Sequence, residues 1–121
     1  MLTEINYLAV LVSTIAAFIA SSAYYSIVGT QSGEPVKPWQ IPVELLRSAT
    51  VALVIAGLIT RLDLGFGGAL GLALVLWLGF PAVLLSGSML WDKVSWRIAV
   101  SHAGDWLLKL LLFAIILSLW Q

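Results

Sequence analysis

Residues 66–85, FGGALGLALVLWLGFPAVLL, run for 20 positions without a charged side chain. A helix of about 20 apolar residues is long enough to cross the hydrocarbon core of a bilayer, which is about 30 Å thick. Three further windows of similar character occur, at about 5–25, 41–60 and 98–120. We therefore predict an all-α integral membrane protein, built as a bundle of four transmembrane helices joined by short loops.

The overall composition supports this class. Of the 121 residues, 61% are hydrophobic and 10% are charged, and the mean hydropathy is +1.05. So few polar side chains do not cover the surface of a soluble globule. Four helices use most of the chain, so we predict a single membrane domain over residues 1–121, with the first helix retained because MLTEIN lacks a basic segment.

The charge balance and the absence of cysteine exclude several functions. The net charge is zero and no basic cluster is present, so we expect no nucleic-acid partner. Without cysteine the chain forms no disulfides and no thiolate metal site. The expected partners are the lipid bilayer and either other membrane subunits or further copies of the chain.

Small residues recur at helical spacing in the first three helices, and they let membrane helices approach closely. They are Ser13, Ala17 and Ser21 in the first helix, Ala49, Ala52 and Ala56 in the second, and Gly67, Gly71 and Gly79 in the third. We interpret them as contacts within the bundle, with a dimer face as the alternative. Pro81 predicts a kink in the third helix near Trp77.

The loop charges give an orientation. Lys37, Lys93 and Arg97 lie on one side of the predicted bundle, whereas the other side offers only Arg61, with Asp63 nearby. The positive-inside rule places the first side in the cytoplasm and both termini outside. We expect the membrane to be a bacterial inner membrane.

The fourth helix carries a polar stripe. His102, Asp105 and Lys109 fall within an arc of roughly 60° on one face, at about 100° per residue. With a rise of about 1.5 Å per residue, Arg47 in the second helix matches the depth of Asp105, and Glu44 matches His102. We predict an Arg47–Asp105 ion pair, with Glu44 near His102 and Lys109 reaching back to Asp105.

Two interpretations of these five side chains remain open. Ionisable groups within a membrane are candidates for function, so the cluster could be a binding site or a proton relay in a cleft open to the cytoplasm. Alternatively, the balanced charges form a structural network that fixes the helix register. We expect no metal site and no cofactor, although His102 could serve as an axial ligand to a haem or chlorophyll-type pigment.

Three stretches carry a resemblance to a known family. The N-terminal INYLAVLVSTIAAFIASSAYYS, the later GLALVLWLGF and the terminal LLLFAIILSLW resemble the small membrane proteins of domain-of-unknown-function family 1761. The resemblance implies a four-helix membrane fold and no known activity. Members often place a histidine at the position of Trp106, whereas in this chain the histidine is His102, one turn earlier.

The sequence shows no catalytic constellation. Ser101, His102 and Asp105 lie on one helix without a nucleophile turn, so we expect a protein that is not an enzyme. Our first hypothesis is an accessory or scaffold subunit of a larger membrane complex, or a homo-oligomer. The alternative is a small transporter or lipophile-binding protein that uses the cluster of Glu44, Arg47, His102 and Asp105.

Overall fold

The fold of the chain is entirely helical where it is described. A computed structural model describes residues 5–28 and 37–120, so residues 1–4, 29–36 and 121 of the predicted domain lie outside it. The helices are α1 (Tyr7–Val28), α2 (Gln40–Leu62), α3 (Phe66–Gly79), α4 (Pro81–Trp91) and α5 (Trp96–Leu119). They form four segments long and apolar enough to cross a membrane, with α3 and α4 together as the third. The predicted fold class is confirmed.

Local sequence explains where several helices begin and end. The Asn6 side chain accepts a hydrogen bond from Ala9 N at 3.1 Å and caps the start of α1. The Ser95 hydroxyl accepts one from Arg97 N at 3.3 Å and caps α5. Asp63 ends α2 in a left-handed conformation with φ 53°, and its N–H bonds the carbonyls of the last turn.

The interruption at Pro81 differs from the predicted kink near Trp77. Helix α3 ends at Gly79, Phe80 has φ −122° and ψ −80°, and α4 begins with Pro81 in its first turn. A proline is tolerated in the first turn because its missing N–H would have no partner there. The chain therefore starts a new helix at Pro81 and continues to Trp91, beyond the predicted end at Leu85.

Helix α5 is the centre of the bundle. It packs against α1 and α3 most extensively and also against α2 and α4, while α1 packs against α2. Its side chains Phe113, Ala114 and Leu117 are buried in the hydrophobic core. Helix α2 makes few contacts with α3 and α4, so a gap separates them on one side of the bundle.

The small residues of the first two helices lie mostly inside the bundle, whereas those of the third do not. Ser13, Ala17, Ala52 and Ala56 are buried, and Ser21 and Ala49 are half-buried. Gly67, Gly71 and Gly79 are exposed, and a Cβ added at any of them would meet nothing within 4 Å.

The prediction that these three glycines pack within the bundle is therefore wrong. Helix α3 contacts its neighbours through Ala69 and Ala73, which are almost fully buried. Because successive residues are about 100° apart around a helix axis, Ala69 lies about 200° from Gly67 and faces the other way. The four-residue spacing shows that Gly67 and Gly71 share a face of α3, but it does not show whether that face meets the rest of the bundle.

Candidate functional site

A polar cleft opens at the end of the bundle where α1 ends and α2 and α5 begin. Its volume is about 720 Å³, and all five predicted polar side chains line it. Tyr25 and Ser21 of α1 and Leu85 of α4 complete much of the wall. The polar side chains are thus brought together in one place, on two helices that pack against each other.

Lys109 joins the two acidic side chains of the cleft. Its Nζ lies 3.0 Å from Glu44 Oε1 and 3.2 Å from Asp105 Oδ2. The Lys109 and Asp105 side chains are only 4% and 5% exposed, whereas that of Glu44 is 34% exposed. Lys109 Nζ also lies 4.8 Å from the centre of the Trp106 ring, within the range of a cation–π contact. Lys109 therefore links α5 to α2 and reaches back to Asp105 as predicted.

The predicted Arg47–Asp105 ion pair is wrong. Arg47 Nη1 donates instead to Glu44 Oε2 at 2.9 Å, one turn earlier on the same helix, and its side chain is 59% exposed. Matching depths placed Arg47 and Asp105 at the same level in the membrane, but depth does not determine which way a side chain points. Lys109, one turn from Asp105, occupies the position that we had assigned to Arg47.

His102 interacts with a tyrosine of α1. Its Nδ1 lies 2.6 Å from the Tyr25 hydroxyl, and the two rings meet edge to face with their centres 5.7 Å apart. His102 and Glu44 line the same cleft, as expected. Among the described residues, however, no hydrogen bond or ion pair joins the two side chains.

Two features of the contact between α1 and α5 were not predicted from the sequence. The Tyr24 hydroxyl donates to the Ser101 carbonyl at 2.9 Å. A Cβ at Gly104 would overlap that hydroxyl, so the absence of a side chain at this position accommodates the close approach. No spacing in the sequence signals that Tyr24 and Tyr25 turn toward α5.

One oxygen of Asp105 has no hydrogen-bond partner in the part of the chain that the structure describes. Oδ1 is buried and accepts no hydrogen bond from the described residues. A buried charge without a full set of partners is costly. Lys109 is therefore the main compensation for the Asp105 charge.

A second, apolar cavity adjoins the cleft. It has a volume of about 500 Å³ and lies in the gap between α2, the α3–α4 interruption and α5, where Val54, Leu76, Phe80 and Leu84 line it. Arg47, Leu85 and Trp106 line both cavities. The polar cleft and the apolar groove are therefore neighbours that share part of their walls.

The fold and the site define a helical bundle with four segments long and apolar enough to cross a membrane, and with a charged cleft at one end. The family model described as "Protein of unknown function (DUF1761)" matches residues 8–118. The chain belongs to this family, as the resemblance of the three stretches had indicated. No curated protein and no solved structure matches the chain.

Proposed function

We propose that this protein binds an amphiphile, with its polar group in the cleft and its apolar tail in the groove. The observation that carries this proposal is the shared wall of Arg47, Leu85 and Trp106. At this wall a charged space and an apolar space adjoin, and in the proposal the ligand extends past it from one to the other. A site of this form suits a ligand with a polar end and an apolar end.

The dimensions and position of the groove support the proposal. Cavities of roughly 300–1,000 Å³ are typical of small-molecule sites, and the groove and cleft are about 500 and 720 Å³. The groove lies along helices that are apolar enough to cross a membrane. An alkyl chain can therefore enter from the bilayer without passing through water.

The charges of the cleft divide into two groups, which accommodates both interpretations of the sequence. Lys109, Asp105 and the inner oxygen of Glu44 form a buried set with a structural role. Arg47 is exposed and contacts only Glu44 among the charged groups of the described residues. We assign ligand contact to the exposed Arg47 and a structural role to the buried set, and we propose no catalytic step.

The proposal includes a membrane orientation. Lys37, Lys93 and Arg97 lie near the end of the bundle where the cleft opens, and the positive-inside rule favours a cytoplasmic position for them. We place the cleft on the cytoplasmic side of a bacterial inner membrane, with both termini outside. Reporter fusions at each terminus test this orientation, and a cytoplasmic signal from either terminus contradicts it.

A bulky side chain that fills the groove tests amphiphile binding. Val54 lines it and is 57% exposed, whereas Val75 is 66% exposed and lines neither cavity. Native mass spectrometry of the protein released from detergent is expected to show one amphiphile bound to the wild type and to Val75→Trp, and little or none bound to Val54→Trp. Equal occupancy of the two variants would contradict the proposal.

A second candidate function is association with other membrane subunits or with further copies of the chain. The open face of Gly67 and Gly71 favours it, since such pairs allow two membrane helices to pack closely. Gly71→Leu leaves the bundle intact, because its side chain would enter open space. We expect it to remove co-purifying subunits, while the control Val75→Leu retains them. Unchanged co-purification of subunits with Gly71→Leu would contradict this candidate.

A further inference from the structure

The chemical class of the amphiphile follows from which groups of the cleft are available to it. Both oxygens of Glu44 are engaged, one by Lys109 at 3.0 Å and the other by Arg47 at 2.9 Å. Asp105 gives one oxygen to Lys109, and the other has almost no accessible surface. The acidic groups therefore offer little to a cationic headgroup.

Arg47 is the group placed to meet a ligand. Its side chain is 59% exposed, and among the described residues only its Nη1 is in an ion pair. A guanidinium has five N–H donors in a planar fork that matches a carboxylate or a phosphate. Because Arg47 lines both cavities, a headgroup bound there lies where the alkyl chain enters the groove.

The present partner of Arg47 can be displaced at low cost. The Arg47–Glu44 pair is exposed and joins neighbouring turns of one helix, and pairs of this kind contribute little to stability. If an anion takes the place of Glu44, the Glu44 carboxylate still accepts from the buried Lys109. The inner network therefore persists while the outer pair exchanges.

We infer that the ligand is an anionic amphiphile, an alkyl chain that ends in a carboxylate or phosphate held by Arg47. This inference rests on the proposed function. It assigns recognition of charge to one residue and recognition of the tail to the groove. The rest of the cleft supports the headgroup, with Lys109 holding Glu44 and Asp105 in place behind it.

Photolabelling of the purified protein in maltoside micelles tests the inference. Three probes share one diazirine-bearing alkyl chain and end in a carboxylate, an alcohol or a quaternary ammonium. Labelled peptides are identified by mass spectrometry, with Val54 and Leu84 as groove sites and Val75 as the outside reference. We expect the carboxylate probe to label the groove about tenfold more than the alcohol, the size of effect of a charge-assisted hydrogen bond.

Variants assign this preference to one residue. We expect Arg47→Gln to reduce carboxylate labelling to the level of the alcohol, and Arg47→Lys to retain part of the preference. Arg61→Gln is the matched control, because Arg61 is also an exposed arginine on α2, near its other end. Inorganic phosphate is expected not to compete, since it lacks a tail.

The outcomes separate the inference from the proposed function. If all three probes label the groove equally, or the ammonium probe labels it best, amphiphile binding holds and the anionic class is wrong. If inorganic phosphate displaces the carboxylate probe as well as an unlabelled fatty acid does, the site recognises a soluble anion and the inference fails. If no probe labels the groove above the Val75 reference, the proposed function fails as well.

Discussion

Removing the Lys109 ammonium provides a stringent test of the buried network. In Lys109→Met a flexible apolar side chain replaces the cation that lies 3.0 Å from Glu44 and 3.2 Å from Asp105. Glu44 is one-third exposed and keeps Arg47 as a partner, so water and Arg47 compensate most of its charge. Asp105 is 5% exposed and loses the only ion pair that it forms within the described residues.

The magnitude follows from this difference in burial. Breaking a buried ion pair by removing one partner costs about 3–5 kcal/mol, and we assign most of that cost to Asp105. The double variant Asp105→Leu with Lys109→Met removes both buried charges, and well-packed apolar replacements of such pairs are often neutral. We therefore expect the free energy of unfolding of the double variant to be at least about 2 kcal/mol higher than that of Lys109→Met.

The assay is reversible unfolding in maltoside micelles with a rising mole fraction of dodecyl sulfate, followed by circular dichroism. Lys37→Met is the control, because Lys37 is exposed and outside the network, and we expect it to stay within about 0.5 kcal/mol of the wild type. A cost below about 1 kcal/mol for Lys109→Met would refute the reasoning. A double variant no more stable than Lys109→Met would refute it equally.

Three further predictions use the same assay. Gly104→Ala is expected to lower the free energy of unfolding by about 1–3 kcal/mol, because its Cβ overlaps the Tyr24 hydroxyl. Adding Tyr24→Phe to the same chain is expected to restore part of this loss. Additive effects of the two substitutions would contradict this prediction. Trp77→Phe removes the 2.8 Å bond from Nε1 to the Ala103 carbonyl, at a cost of about 1 kcal/mol, and an unchanged stability would count against it. Arg47→Gln, which breaks only an exposed pair, is expected to cost less than about 1 kcal/mol; a larger loss would assign Arg47 to the structural network.

The sequence predicts the spans well because a bilayer imposes one simple requirement. Any run of about 20 apolar residues satisfies it, and the window at 41–60 agrees with α2 (Gln40–Leu62) to within two residues at each end. The depth of a charged side chain follows from the same linear scale. Depth therefore matched Arg47 to Asp105 and Glu44 to His102, and the structure places all five polar residues in one cleft.

The sequence does not reveal the direction in which a helix face points. Gly67 and Gly71 share a face, but periodicity does not specify whether that face meets the bundle or the lipid, and in the structure it is open. The wrong pairing of Arg47 has the same origin, because neighbouring turns of α2 and α5 offered two cations for one carboxylate. The groove depends on the gap between α2 and the α3–α4 interruption, a tertiary feature with no local signature.

The central claim is that one amphiphile occupies the joined cleft and groove, and paramagnetic relaxation measured by NMR tests it most directly. Trp106 lines both cavities, whereas Trp120 lies at the opposite end of α5 and lines neither. With a fatty acid that carries a nitroxide near its headgroup, we predict that the Trp106 indole signal broadens and saturates at one equivalent, while the Trp120 signal weakens only in proportion to the total label. Parallel, unsaturable broadening of both signals would show that the label merely dissolves in the micelle, and would contradict the account.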